Sequence, residues 1–147
     1  MPNCLPMNER SLWVADTNVL VSRLLTPDSI AAQAIDRALA HGILLVSEAT
    51  LNDLIEVLGR PKFDPYITHE DRQRFIALLG GVSRIVPITR HIQACRNPKD
   101  DKFLDVTING EARAIITGDH DLLALDPFHG VRIVSPADFL IAAPAFP

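Results

Sequence analysis

Two short hydrophobic runs in this chain end in acid. One is Leu12-Trp13-Val14-Ala15-Asp16, and the other is Ala114-Ile115-Ile116-Thr117-Gly118-Asp119-His120-Asp121. Each reads as a buried strand that carries a carboxylate to the edge of a sheet. An acid placed there is expensive to desolvate unless something pairs with it. A cap for the following helix is the plainer use of Asp16, and a turn with caps is the plainer use of Asp119 and Asp121. Their recurrence after two separate strands favours ligation of a divalent cation and chemistry on phosphate. Gly118 permits a tight turn beside a ligand. Thr117, Asn18 and Ser22 are placed to hydrogen-bond a carboxylate or a bound water. His120 reads as a surface residue. Hard oxygen ligands without a partner cysteine or histidine suit magnesium or manganese, not zinc.

Further acids stand between the two runs. Asp53 and Glu56 lie three apart on the helix expected after the second strand. Both point away from its apolar stripe of Leu51, Leu54, Ile55 and Leu58, which leaves an ordinary solvated face open for both. Glu48 sits at that helix start, where an acid suits the helix dipole. Asp100 and Asp101 open a later helix beside Lys99 and Lys102. One of the two serves as N-cap, leaving the other to face a site. Asp105, four residues beyond Asp101, shares its face, so there is more acid than a cap requires.

The elements that must position these residues alternate. Strands are expected at Trp13 to Asp16, Ile43 to Val46, Ser83 to Val86, Ala114 to Thr117 and Val131 to Val134. Helices are expected around Val19 to Leu25, from Asp28 or Ser29 to Ala40, after Ser47 as cap, and from His69 to Leu79. More follow from Asn97-Pro98 to Asn109, for one turn at Asp121 to Leu125, and from Pro136. The fold class is therefore α/β: a compact doubly wound sandwich with a central, mostly parallel five-stranded sheet and helices on both faces. In such sheets sites form beyond the carboxyl ends of the strands, where strand order reverses. Asp16 and Asp119 both stand at carboxyl ends and can meet there.

The chain has 147 residues, of which 48% are hydrophobic, enough for one domain with a substantial core. The domain is expected over 12–142, with a flexible leader at 1–11 and a tail at 143–147. The apolar stretches are far short of a membrane span. The start, Met1-Pro2-Asn3-Cys4-Leu5-Pro6, lacks a signal-peptide pattern, so a cytoplasmic location without membrane contact is expected. Cys4 and Cys95 stand in no metal or redox spacing and read as free thiols. The formal net charge is −4. This does not favour a nucleic-acid partner, but a nuclease can keep its negative charge in the metal site and its positive charge on the rim.

Four stretches together carry a resemblance to a known family: Val14-Ala15-Asp16-Thr17-Asn18-Val19-Leu20-Val21-Ser22, Leu51 to Phe63, Asn97 to Leu104, and Ile116 to Leu123. They resemble the PIN domain family of metal-dependent ribonucleases, and within it the toxins of toxin–antitoxin pairs. The resemblance spans about Leu12 to Leu140. It implies that Asp16, Asp53, Asp101 and Asp119 are the catalytic acids. Asp16, Asp53, Asp101, Asp119 and Asp121 are then the ligands of Mg2+ or Mn2+. Asp100 is the alternate to Asp101, and Asn18, Thr117 and Glu56 are supporting residues. Asp53 departs from the pattern, since the family usually has glutamate before the leucine. Its carboxylate sits one methylene nearer the backbone, and Glu56 is the alternative supplier. The resemblance also implies hydrolysis of RNA to 5′-phosphate and 3′-hydroxyl ends.

Arg60, Lys62, Lys99 and Lys102, with Arg23 and Arg96, are the residues expected to steer an RNA backbone. With no basic run and no aromatic ladder, single-stranded or looped RNA is the expected substrate. A homodimer is expected, with Ile30, Ala34 and Ile35 as a contact face of which much is core, and a toxin requires a protein antitoxin. Two other readings stay open. A haloacid-dehalogenase-like phosphatase also places an acid after its first strand and a Gly-Asp pair after a later one, but its usual second acid is Asn18 here. A non-catalytic RNA- or protein-binding scaffold is the other.

Overall fold

The computed structural model of the protein describes residues 11–142. The expected leader and tail lie outside the described residues, apart from Ser11, which opens the first strand. The strands are β1 (Ser11–Ala15), β2 (Gly42–Val46), β3 (Ser83–Ile85), β4 (Ala114–Ile116) and β5 (Arg132–Val134). The helices are α1 (Thr17–Leu25), α2 (Ile30–His41), α3 (Glu48–Leu58), α4 (His69–Val82), α5 (Asp101–Asn109), α6 (His120–Leu123) and α7 (Pro136–Ala142). Short 3-10 turns at Pro61–Phe63 and Pro98–Asp100 lead out of α3 and into α5.

Local chemistry explains most boundaries. Ser29 caps α2 by accepting the Ala32 N–H. Ser47 and Thr50 form a reciprocal capping box on α3, as Thr68 and Asp71 do on α4. A threonine thus fills the place on α3 where an acid or amide more often stands. Helix α4 runs three residues past its expected end, through Gly80 and Gly81, because no proline or left-handed turn stops it there.

The sheet order is β3-β2-β1-β4-β5, and every pairing is parallel. The chain winds outward from β1 to β3, then returns to the other side of β1 with β4, so strand order reverses between β1 and β4. Alternate residues divide the core. Trp13, Ala15, Leu44, Ala114, Ile116 and Val134 face a layer built from α1, α2, α3, α4 and α7. Val14, Leu45, Ile115 and Ile133 face the other layer, with Phe103, Leu104 and Val106 of α5 and Leu122 of α6. Phe139 of α7 meets Trp13 edge-to-face at 5.0 Å between centroids.

One expectation about an apolar face is corrected. Ile55 is 48% exposed, and Val57 is buried in its place beside Leu54 and Leu58. Ala34 and Ile35 are buried in the core, leaving Ile30 exposed on that helix. Among the described residues no helix is long and apolar enough to cross a membrane.

Gly42 begins β2 opposite Ser11 with extended backbone. A Cβ here would overlap the Ser11 carbonyl oxygen and come within 2.6 Å of the Trp13 indole nitrogen. Close approach, not backbone conformation, requires the glycine. Substitution Gly42→Ala is expected to destabilise the protein by about 1–3 kcal/mol or more, read as a lower denaturant midpoint. An unchanged midpoint would contradict this packing.

Candidate metal centre

The β1–β4 pairing continues one residue past β1, because the Asp16 N–H donates to the Ile116 carbonyl at 3.0 Å. This fixes the Asp16 side chain at the carboxyl end of β1, where the residue is only 5% exposed. The Thr117 hydroxyl donates to Asp16 Oδ2 at 2.7 Å, and Thr117 Oγ1 accepts the Asp119 N–H at 3.0 Å. One buried hydroxyl therefore sets two acids from adjacent strands. Burial raises the Asp16 carboxyl above its ordinary pKa, the Thr117 bond opposes that rise, and the charge on Asp119 adds to it. The N–H groups of Thr17 and Asn18 further oppose it. Asn18 thus supports Asp16 through its backbone, while the residue itself is exposed.

Asp119 caps α6, its Oδ1 accepting the Asp121 N–H at 2.8 Å. Asp100, Asp119 and Asp121 each offer a carboxylate oxygen, and these atoms lie within 4.8 Å of one another. The Asp100 carboxyl is pushed up to about 7 by burial, by its hydrogen bond to Asp119 and by the charges of Asp119 and Asp16, against the pull of Lys102. The cluster is thus crowded with like charge that a cation would relieve. Its donors are all hard oxygens, close enough together to share one divalent cation.

Asp101 is not in that cluster. Its Oδ1 accepts the N–H groups of Ala94 at 3.1 Å and Cys95 at 2.8 Å. Burial tends to raise its pKa, but these hydrogen bonds outweigh it and hold the carboxyl below its usual range. Asp105 does similar work one turn on, accepting the Ile92 N–H at 2.6 Å. Of the two neighbours, Asp100 meets the other acids, whereas Asp101, the expected ligand, and Asp105 accept from the backbone of the loop at 91–95. The acid beyond a cap's needs is used as a loop anchor.

Asp53 lies to one side. Its Oδ2 accepts the Thr17 hydroxyl and its Oδ1 the Lys102 ammonium at 2.9 Å. Burial opposes ionisation, but Thr17, Lys102 and Arg60 overcome it and hold this pKa below the ordinary value. Glu56 is exposed. Asp53 is thus the α3 carboxylate that reaches inward. Lys102, expected on the RNA rim, is directed inward as well. Arg60 stays close enough to act on Asp53, and Lys62 lies over the Phe63 ring at 5.1 Å. Lys99 and Lys102 line a cavity of about 760 Å3 with His91 and Cys95. Arg23 is paired with Asp36. The Cys95 thiol is pushed up to about 12 by burial and by Asp101, so it stays an unreactive thiol at neutral pH. Cys4 lies outside the described residues. Sequence reasoning missed Thr17 and the inward Lys102; a polar residue directly after Asp16 was the only available sign of the first.

The family model described as PIN domain matches residues 13–121. An uncharacterized protein of Methanocaldococcus jannaschii, MJ1680, is 32% identical over 114 residues, covering 76% of this chain and 73% of that protein. PAE2754 from Pyrobaculum aerophilum is similar in structure, with TM-score 0.62 and 13% identity over 92% of this chain and 90% of that one. VapBC2 from Rickettsia felis, solved bound to a promoter DNA fragment, gives 0.59 with 9% identity, over 84% and 98% of the two chains. VapC20 of Mycobacterium tuberculosis, a Sarcin-Ricin loop cleaving toxin, gives 0.54 with 18% identity, over 83% and 99%. At these identities the structural likenesses establish the fold.

The two neighbouring acids on α5 are separable by experiment. Asp100→Asn is expected to weaken Mn2+ binding strongly, and Asp101→Asn to leave it unchanged while loosening the loop at 91–95. Calorimetric titration with Mn2+ reads this, and the reverse order would contradict the assignment. The raised Asp100 pKa sets a pH signature. In the metal-free protein the fold holds this proton more tightly than the unfolded chain. Its contribution to stability is therefore complete below 3.8 and is lost as pH rises through about 7. Metal entry releases that proton, so affinity should rise by up to about tenfold per pH unit below 7 and then level. A flat profile would contradict the Asp100 assignment.

Proposed function

The chain belongs to the PIN domain family, and we propose that it is a divalent-metal-dependent ribonuclease acting as the toxin of a toxin–antitoxin pair. The observation that carries this reading is the convergence of Asp16, Asp100, Asp119 and Asp121 at the strand-order reversal. The name of VapC20, a loop-cleaving toxin of the same fold, supports RNA as the substrate class.

Asp100, Asp119 and Asp121 would hold Mg2+ or Mn2+, with Asp16 beside them. When bound there, such an ion would supply activation of a water and compensation of charge on the phosphate and leaving oxygen. Thr117 keeps Asp16 and Asp119 in register for that task. Asp121 is fixed by its backbone bond to Asp119, so the ligand set is ordered before the ion arrives. Arg60 and Lys99 would hold the RNA backbone, and the cavity beside Lys99 would admit a single or looped strand. Cleavage would leave 5′-phosphate and 3′-hydroxyl ends.

The protein partners belong to the same proposal. Leu20, Leu24, Leu39 and Phe75 line an apolar cavity of about 420 Å3 with the exposed residues Leu78 and Val82. This surface supports an antitoxin or a second copy of the chain as occupant. A cytoplasmic setting is proposed with them.

Wild type and Asp16→Asn should be compared on a pool of single-stranded and structured RNA, with Mn2+, with Mg2+ and with chelator. Metal-dependent cleavage by the wild type is expected, falling in D16N to the level of the chelated enzyme while the fold is kept. Full activity in D16N would overturn the proposal. An aspartyl-phosphate adduct on Asp16 would replace it with the phosphatase reading, and failure to bind metal with the scaffold.

A further inference from the structure

We infer that the site takes a single divalent ion, and that the Lys102–Asp53 ion pair is what keeps a second ion out. This rests on the metal-dependent reading above and specifies it.

The acids fall into two groups. Asp100, Asp119 and Asp121 converge within 4.8 Å, and Asp16 is tied to Asp119 through Thr117. Asp53 is outside that convergence, and each of its oxygens is already engaged: Oδ2 by Thr17 and Oδ1 by Lys102 at 2.9 Å. The pair is largely shielded, with side-chain exposures of 22% for Lys102 and 25% for Asp53. Solvent and salt screen such a pair less than one on the open surface. An ion that took Asp53 as ligand would meet the ammonium across that contact. It would also leave the ammonium without its partner in a partly dry setting, which is costly.

The arrangement follows from sequence position. Lys102 stands two residues after Asp100, so the step from the 3-10 turn into α5 sends Asp100 to the acid cluster and Lys102 toward α3. Aspartate at position 53 is a methylene shorter than glutamate, and the long lysine stem spans what the short acid does not reach. Lys102 also lies close enough to Asp100 for its charge to act on that carboxyl. It therefore places a permanent positive charge at the edge of the site, which requires no loading and also lowers the Asp100 pKa.

The test counts ions. Metal-free wild type, Lys102→Met, Lys102→Arg and Asp53→Asn are titrated with Mn2+, following free ion by electron paramagnetic resonance and heat by calorimetry. The expected result is one Mn2+ per chain in wild type and K102R, and two in K102M. D53N is expected to keep one ion at wild-type affinity. Two ions in wild type or K102R, one ion in a folded K102M, or weakened binding in D53N would each overturn the inference. Should K102M fail to fold, Lys102→Gln takes its place with the same two-ion expectation, and one ion in a folded K102Q overturns the inference. No bound Mn2+ in wild type would instead remove the metal-dependent reading itself.

Discussion

Asp16 and Thr117 are 101 positions apart in sequence and 2.7 Å apart in space. That hydrogen bond depends on the parallel register of β1 with β4, and the site depends on the bond. The Thr117 hydroxyl donates to one acid and accepts the backbone N–H of another. A slip of one residue in this register would turn Trp13, Val14 and Ala15 to the wrong faces of the sheet and separate the carboxylates. The two-layer core therefore does more than stabilise the fold. It forces like charges together at one edge, where they are tolerated through hydrogen bonds and a nearby lysine.

The start of α5 shows how closely such work is divided. Asp100 faces the acid cluster, Asp101 accepts from the 94–95 backbone, Lys102 reaches to Asp53, and Phe103 and Leu104 enter the core. Adjacent helix residues point about 100° apart, so each neighbour meets a different surrounding. Chemically identical neighbours can thus have opposite titration behaviour: the Asp100 pKa is raised and the Asp101 pKa lowered. Surrounding like charge and burial dominate the first, and backbone donors dominate the second.

The fold was largely readable from the chain. Strands buried on both faces give unbroken apolar runs, and caps such as Ser29 and Ser47 mark helix starts through local chemistry. Asp16, Asp119 and Asp121 were visible because acids directly after buried runs have few other uses. Asp100 and Asp101 could not be ranked the same way. Which one meets the cluster depends on the helix phase at its first turn, and on a loop whose N–H groups need an acceptor. Ile55 and Val57 were exchanged for a related reason, since periodicity gives a stripe but not the angle at which α3 settles on the sheet. The Lys102–Asp53 contact, 49 residues apart in sequence, is tertiary and left no local sign.

The most direct measurement is a crystal structure of the protein grown with Mn2+, with anomalous data collected at the manganese edge. The account predicts one peak per chain among Asp16, Asp100, Asp119 and Asp121, with Asp53 still on Lys102. A peak at Asp101 or Asp105, or a second peak at Asp53, would contradict it.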